Sequence, residues 1–521
     1  MATRRQAVID LGSNSFRLVE FTWDDGPAGG WWKRTDEIRE PVRIGEGLER
    51  DGPLQAEPMD RALRALDLFA HFCRATGLDD VRPVATSAIR DAANQAEFLA
   101  AVQQRTGLVV RVLSREEEAR YGYLAAVNST TLADGVALDI GGGSMQLVRV
   151  AGRHAEDSRS WRLGAVRATE RYLPGKRTTP KQVKEMRAHV LRKLEVAPWL
   201  EGAGAHGKRF VGIGGTVRNL AVASALAAGQ PTDSVQGVCV GRKSLAELIE
   251  RLIELPAAER AKVPGIKPDR ADLILAGAVV IDCVLEAGQF AELEATQAGL
   301  REGVFFETLL GGDALAQPLF GAPATPLFDD VRRDGVRNLA AQYESDAKHP
   351  EHVASLCLGM WDALGQAGCH KADPGERDLL WAAALLHDIG TAVDYDDHHR
   401  HSRYLVLNAG LPGFSARETA LVGQMVRYHR KGSPGLGEAA PLARDGDEAV
   451  VRRCAALLRV VEQLERSRDQ TVRSTSLQVR DGTVEVTLDA DGDVSLARWA
   501  AERQADVFER AFGKRLALVG S

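Results

Sequence analysis

The chain has 521 residues, 45% hydrophobic and 26% charged, with a formal net charge of −6. That size allows roughly two to four domains with several cores, and the acidic balance excludes a general nucleic-acid binder, which needs a basic surface. No apolar run reaches the length of a membrane span, the first residues lead straight into a strand, and six scattered cysteines form no CxxC pair. A cytoplasmic protein with reduced thiols, no signal peptide and no membrane anchor is therefore expected.

In chain order, residues 7–20 (AVIDLGSNSFRLVE) read as an apolar strand ending at Asp10, a loop of Gly12, Ser13, Asn14 and Ser15, and a second apolar strand. Residues 60–75 have the apolar spacing of a helix. A short strand then leads to ATSAIRDAAN with Arg90, and the strand LVVRVLS runs into the helix REEEARYGYLAAVNS. Residues 136–150 (VALDIGGGSMQLVRV) repeat the opening pattern: a strand ending at Asp139, then Gly141, Gly142, Gly143 and Ser144, then another strand. A third glycine element, RFVGIGGTVRNLA, carries Gly214, Gly215 and Thr216 into a helix. Residues 1–130 and 131–310 thus read as two related α/β lobes, and 311–327 (Gly/Ala/Pro-rich) as a linker. Residues 328–470 read as all-helical and rich in histidine, and 471–521 as a small α+β unit.

Glycine leaves room for backbone N–H groups to close on an anion, and loop hydroxyls add donors. Two such loops about 130 residues apart in the sequence predict a phosphate chain held between the lobes, with the helix after Gly215 offering its N-terminal amides. Ser114-Arg115-Glu116-Glu117-Glu118-Ala119-Arg120 supplies acidic groups where a strand meets a helix. Glu116 and Arg120 have the spacing of a surface ion pair; another glutamate of the run is placed to activate water, with Asp139 holding Mg²⁺ or aligning that water. Arg90 suits bidentate phosphate contact, followed by Arg270, then Arg17 and Arg43.

DLGSNSFRLV, ATSAIRDAAN, SREEEARYGYLAA, LDIGGGSMQLV, GIGGTVRNLA and GLREGV, in this order over residues 7–305, resemble the exopolyphosphatase / guanosine pentaphosphate phosphohydrolase family. The resemblance implies two actin-like (ribonuclease H-like) ATPase-fold lobes. It implies Glu118 and Asp139 as the catalytic, Mg²⁺-associated carboxylates. It also implies phosphate contacts from Ser13, Asn14, Ser15, Arg90, Gly141, Gly142, Gly143, Ser144, Gly214, Gly215 and Thr216. The implied reaction is release of terminal orthophosphate from inorganic polyphosphate, with guanosine pentaphosphate hydrolysis the alternative at the same site. The Ser-Asn-Ser form of the first loop speaks against phosphoryl transfer to a sugar, and the full set of carboxylates against a mere sensor. A homodimer is the family expectation.

The helical stretch has AALLHDIG with His387 and Asp388, preceded by His352, and resembles the HD phosphohydrolase domain, whose His, His-Asp pair and distal Asp bind a metal. That implies a second metal set of His352, His387 and Asp388. The distal position departs from the pattern, holding Glu462 after Val461. A glutamate displaces the ligand oxygens by a methylene, so this domain is expected to hold polymer rather than cut it.

Overall fold

A computed structural model describes residues 3–24, 30–49, 52–311, 327–343 and 347–519. They form two compact units, the first comprising Met1–Asp24 and Trp32–Val331, the second Asp25–Trp31 and Arg332–Ser521.

The first unit contains two sheets, Trp31 at the start of β3 excepted. Strands β1 (Arg4–Leu11), β2 (Phe16–Asp24), β3 (Trp31–Glu40), β4 (Val81–Ala85) and β5 (Arg111–Val112) run in the order β3-β2-β1-β4-β5. The second sheet has β6 (Gly135–Ile140), β7 (Met145–Ala151), β8 (His154–Trp161), β9 (Arg209–Ile213), β10 (Val238–Gly241) and β11 (Glu292–Ala295), ordered β10-β11-β9-β6-β7-β8. The repeat seen in the sequence is a repeat in register. β1 pairs antiparallel with β2 and parallel with β4, as β6 does with β7 and β9. Asp10 lies opposite Val84 and Asp139 opposite Ile213, each one residue before its strand ends. Ala7, Val8, Ile9 and Leu11 are all buried, the continuous apolar run of a strand covered on both faces.

The helix Arg115–Ser129 is buried from Glu118 to its end, in a core that takes residues from both sheets. Its start is fixed by a capping box between Ser114 and Glu117. The helix Leu300–Gly311 crosses it so closely that a Cβ on Gly303 would collide with the Tyr121 carbonyl. Glu307 accepts hydrogen bonds from Tyr121 Oη (2.9 Å) and Arg120 Nε (3.2 Å). Phe305 stacks on Phe21 at 4.3 Å between centroids. Two expectations change here. The segment read as the end of the second lobe returns to the first, because Phe305 and Phe306 pack on Phe21, Trp23 and Trp32. Arg120 is no surface partner of Glu116: it is 3% exposed and bound to Glu307. The linker read at 311–327 falls almost wholly outside the described residues.

The second unit contains helices Val331–Ala341 (its first residue excepted), Lys348–Gln366, Pro374–Leu386, His398–Ala409, Ala416–Tyr428 and Asp447–Leu464. They are followed by strands β12 (Val472–Arg480), β13 (Thr483–Ala490) and β14 (Arg515–Val519), ordered β12-β13-β14. Among the described residues the C-terminal part has no core of its own. Val484, Val486 and Phe508 share one apolar cluster with Leu457, Leu458 and Trp361. A three-stranded sheet this small needs a helical face to cover its apolar side. Among the described residues no helix is long and apolar enough to cross a membrane.

Candidate active site

The two Asp-terminated loops, the third glycine turn and the Glu118 helix converge on one cavity of about 110 Å³. Its wall includes Ser13, Asn14, Ser15, Gly141, Gly142, Ser144, Gly214, Gly215 and Arg270, with Glu118 and Asp139. Three other predicted residues stand behind that wall. Gly143 lies where a Cβ would run into the hydroxyls of Ser87 and Ser13, so glycine lets the two loops close on each other. Thr216 is 1% exposed and packs on Gly277. Arg90 does not face the cavity: its Nη1 donates to Glu118 Oε2 (2.8 Å) and to the Leu113 carbonyl (2.9 Å). Arg43 turns to Asp272, 3.3 Å away.

The three glutamates have three different fates. Glu116 is exposed; Glu117 caps its own helix and pairs with Arg111; Glu118 points inward at 5% exposure. Ser144 Oγ donates to Glu118 Oε1 (2.8 Å), so the first lobe's Arg90 and the second lobe's Ser144 each hold one carboxylate oxygen. Beside it, burial first and then the like charges of Glu118 and Asp10 push the Asp139 carboxyl up to about 7. Gly122, one turn beyond Glu118, lets that helix lie against Asp139: a Cβ there would be 3.3 Å from the Asp139 Cβ.

Opposite the carboxylates are four arginines, of which the sequence reading placed Arg270 and Arg17 and missed Arg218 and Arg301. Arg301 Nη1 donates to Asp10 (3.2 Å), Arg17 to Glu37 (3.0 Å), and Arg218 to the Gln297 carbonyl (2.9 Å). Arg270 lies so close to Gly215 that a Cβ there would push its guanidinium aside. Burial is the largest cause holding Arg17, Arg218 and Arg270 down at about 10, and their mutual repulsion adds to it. An anion between them relieves both. Gly214 adopts φ +104 where a Cβ would be 2.7 Å from the Ile140 carbonyl, which brings the third turn against the second loop.

The donor set fits Mg²⁺ through Asp139. Among the described residues this carboxylate accepts no side-chain hydrogen bond, and it is crowded by like charge. A hard cation with one or two carboxylates, substrate oxygens and waters suits such a place. Glu118, expected to share the metal, already has both oxygens engaged.

In the second unit six buried side chains gather. His387 Nε2 is 3.0 Å and His349 Nε2 3.3 Å from Glu462 Oε2. Asp388 Oδ1 is 3.2 Å from His398 Nε2, 3.5 Å from His429 Nε2 and 3.6 Å from His387 Nε2. Backbone carbonyls of Ala384, Tyr395 and Val426 face the Nδ1 atoms of His387, His398 and His429 at 2.7–2.9 Å, which aims each Nε2 at the centre. Neither His349 nitrogen nor Asp388 Oδ1 has a well-aligned hydrogen bond. His352, expected in this set, is not in it. Its Nε2 is 2.8 Å from the Val472 carbonyl, and His349, one turn earlier on the same helix, stands in its place. Glu462, read as a departure, reaches the centre. His399 is fully buried but separate.

Residues 33–311 match the model of the Ppx/GppA phosphatase family, and residues 331–500 that of Ppx/GppA phosphatase, domain III. Among solved structures, a Ppx/GppA family member from Aquifex aeolicus is 29% identical, covering 60% of this chain and 99% of its own, with a TM-score of 0.51. An exopolyphosphatase from Cytophaga hutchinsonii is 21% identical over 59% of this chain and 98% of its own, with a TM-score of 0.52, a likeness of fold. The two lobes have the actin-like ATPase fold of these neighbours.

Proposed function

Since the chain belongs to the Ppx/GppA phosphatase family, we propose that it is an exopolyphosphatase, releasing terminal orthophosphate from inorganic polyphosphate. The observation that carries this is a buried carboxylate, Glu118, held from both lobes on the wall of a cavity that also presents four arginines and three glycine turns. Glu118 takes the proton of a water whose oxygen attacks the terminal phosphorus. The bond from that phosphorus to the bridging oxygen breaks, and the shortened chain leaves as an oxyanion. Arg17, Arg218, Arg270 and Arg301 offset charge on the phosphoryl oxygens, which is where such a reaction needs it. Arg90 and Ser144 orient Glu118. Mg²⁺ held by Asp139 would supply Lewis-acid neutralisation of the phosphoryl oxygens.

The histidine cluster fits a divalent transition metal, with imidazole and carboxylate ligands buried and oriented. His349, His387, Asp388 and Glu462 would hold it. We assign it a structural role in the second unit, and polymer holding to that unit.

The test is phosphate release by the full chain, side by side, from long-chain polyphosphate, tripolyphosphate and guanosine pentaphosphate with Mg²⁺. Preference for polyphosphate is expected; release from guanosine pentaphosphate alone overturns the assignment.

A further inference from the structure

Beside the phosphate clamp formed by the two Asp-terminated loops, in the same unit, lies a second cavity of about 710 Å³. Its first-lobe wall is Arg115, at the start of the Glu118 helix, with Leu48 and Glu49. Leu48 and Glu49 end a turn docked on the first loop: Gly45 N–H donates to the Ser13 carbonyl (3.1 Å) and Arg43 N–H to the Asn14 carbonyl (3.0 Å). Its second-lobe wall includes the end of β8 and the helix Ala165–Tyr172. The first amides of that helix are bonded to the second loop, Ala165 to the Gly141 carbonyl (2.9 Å) and Val166 to that of Gly142 (2.8 Å). Part of each wall of the larger cavity is therefore carried by a loop of the smaller one, and Arg115 stands on the helix that carries Glu118.

Five cations line it, Arg115, Arg162, Arg167, Arg171 and Lys193, against Glu49 and Glu170. Three of them share one buried carboxylate, Asp91, at 3.9, 3.1 and 2.9 Å. Arg171 and Lys193 make no ion pair among the described residues. The positive field is felt by His189 on the same wall, which burial first, then Arg171, Lys193 and Arg192, push below the ordinary imidazole range. The aromatic groups are not open as a stacking platform: Trp161 is 8% exposed with its Nε1 donating to the Lys193 carbonyl (2.9 Å), and Arg171 covers Tyr172. The wall suits phosphates better than a nucleobase.

We propose that this cavity is a second phosphate-chain site, which takes a run of condensed phosphates further along the polymer whose terminal group sits beside Glu118. This rests on the polyphosphatase reading above. Spaced cations on a polyanion add contacts without adding chemistry, so the site acts on chain affinity.

The test compares the full-length wild type with Arg171→Glu/Lys193→Glu, both exposed positions, and with Lys181→Glu, an exposed lysine outside the cavity, as the control. The double variant should lower kcat/KM for long-chain polyphosphate about tenfold relative to tripolyphosphate, through KM. Calorimetric binding of long-chain polyphosphate to the same set in a Glu118→Gln background should weaken alike, with the salt slope of log affinity flattened by roughly 1–1.5. Lys181→Glu should do neither. Unchanged long-chain binding in the double variant, or an equal loss in Lys181→Glu, overturns the second site and leaves the clamp reading standing. A wild type that releases phosphate from neither chain overturns the clamp reading, and the same calorimetry still decides on the second cavity.

Discussion

At the residue scale the site depends on Glu118 and Asp139. Glu118→Gln keeps size and one acceptor but cannot take a proton, so kcat should fall at least about a hundredfold with substrate still bound. Steady-state phosphate release and direct binding check this; near-normal turnover ends the assignment. Asp139 carries a further signature. Its folded carboxyl titrates at about 7, against roughly 3.9 in an unfolded chain. The folded state thus keeps a proton that the unfolded state releases, and stability present below about pH 4 is lost as pH rises to about 7. Asp139→Asn should abolish Mg²⁺-dependent activity. It should also stabilise the metal-free protein at pH 7.5 by about 1–2 kcal/mol, the gain vanishing near pH 4. Melting curves across that range, with and without Mg²⁺, read both effects; a gain equal at both ends of the range contradicts the cause given. Asp139 and the loop residues were legible because glycine and serine clustered after an apolar strand have few other uses. Choosing Glu118 from three neighbouring glutamates needed the family motif, since only the helix register shows that Glu117 is a cap and Glu116 faces solvent.

At the element scale, the strand–loop–strand repeat was legible as a period-two apolar pattern broken by glycine. Arg218 and Arg301 were not, though both lie within motifs quoted for the fold. Each enters from a helix far along the chain, and nothing local distinguishes an arginine aimed at a cavity from one aimed at solvent. The same holds for His349 and His352, three residues apart on one helix: spacing puts both near one face, and packing decides which meets Glu462. The metal assignment gives a prediction at this scale. Full-length protein freed of metal by a chelator should lose several degrees of melting temperature, restored by a divalent transition metal, since a ligand bound only by the folded state stabilises it. His349→Ala should lower bound metal by elemental analysis, and His352→Ala should not. Equal retention in both variants rules the centre out.

For the whole molecule, the boundary between units decides which fragments survive. Phe328 lies beyond the Gly/Ala/Pro stretch 311–327 yet packs on Phe306 at 5.6 Å, and its N–H donates to Asn128 Oδ1 (3.0 Å). A fragment ending at Val331 should fold and hydrolyse tripolyphosphate, with weakened hold on long chains. One ending at Gly311 lacks Phe328 and should be less stable by about 1–3 kcal/mol. Denaturant unfolding of the two fragments compares them; equal midpoints would mean that the Phe328 contact contributes nothing. A composition-based boundary places the cut in the Gly/Ala/Pro stretch, because an aromatic anchor after a linker has no local signature. The C-terminal strands form the hairpin and closing strand expected of a small α+β unit, while the core they share with the helices has no signature in the local sequence.

The two hydrogen bonds on Glu118 make the base an interlock. One comes from Arg90 and the other from Ser144, on opposite lobes, so the carboxylate is fully aimed only while the lobes are seated together. Asp91, next to Arg90, takes Arg162 and Arg167 from the opposite lobe, so the same closure fastens at two adjacent residues. Parting the lobes would break the Ser144 bond to Glu118 and both Asp91 pairs together, leaving the base unaimed.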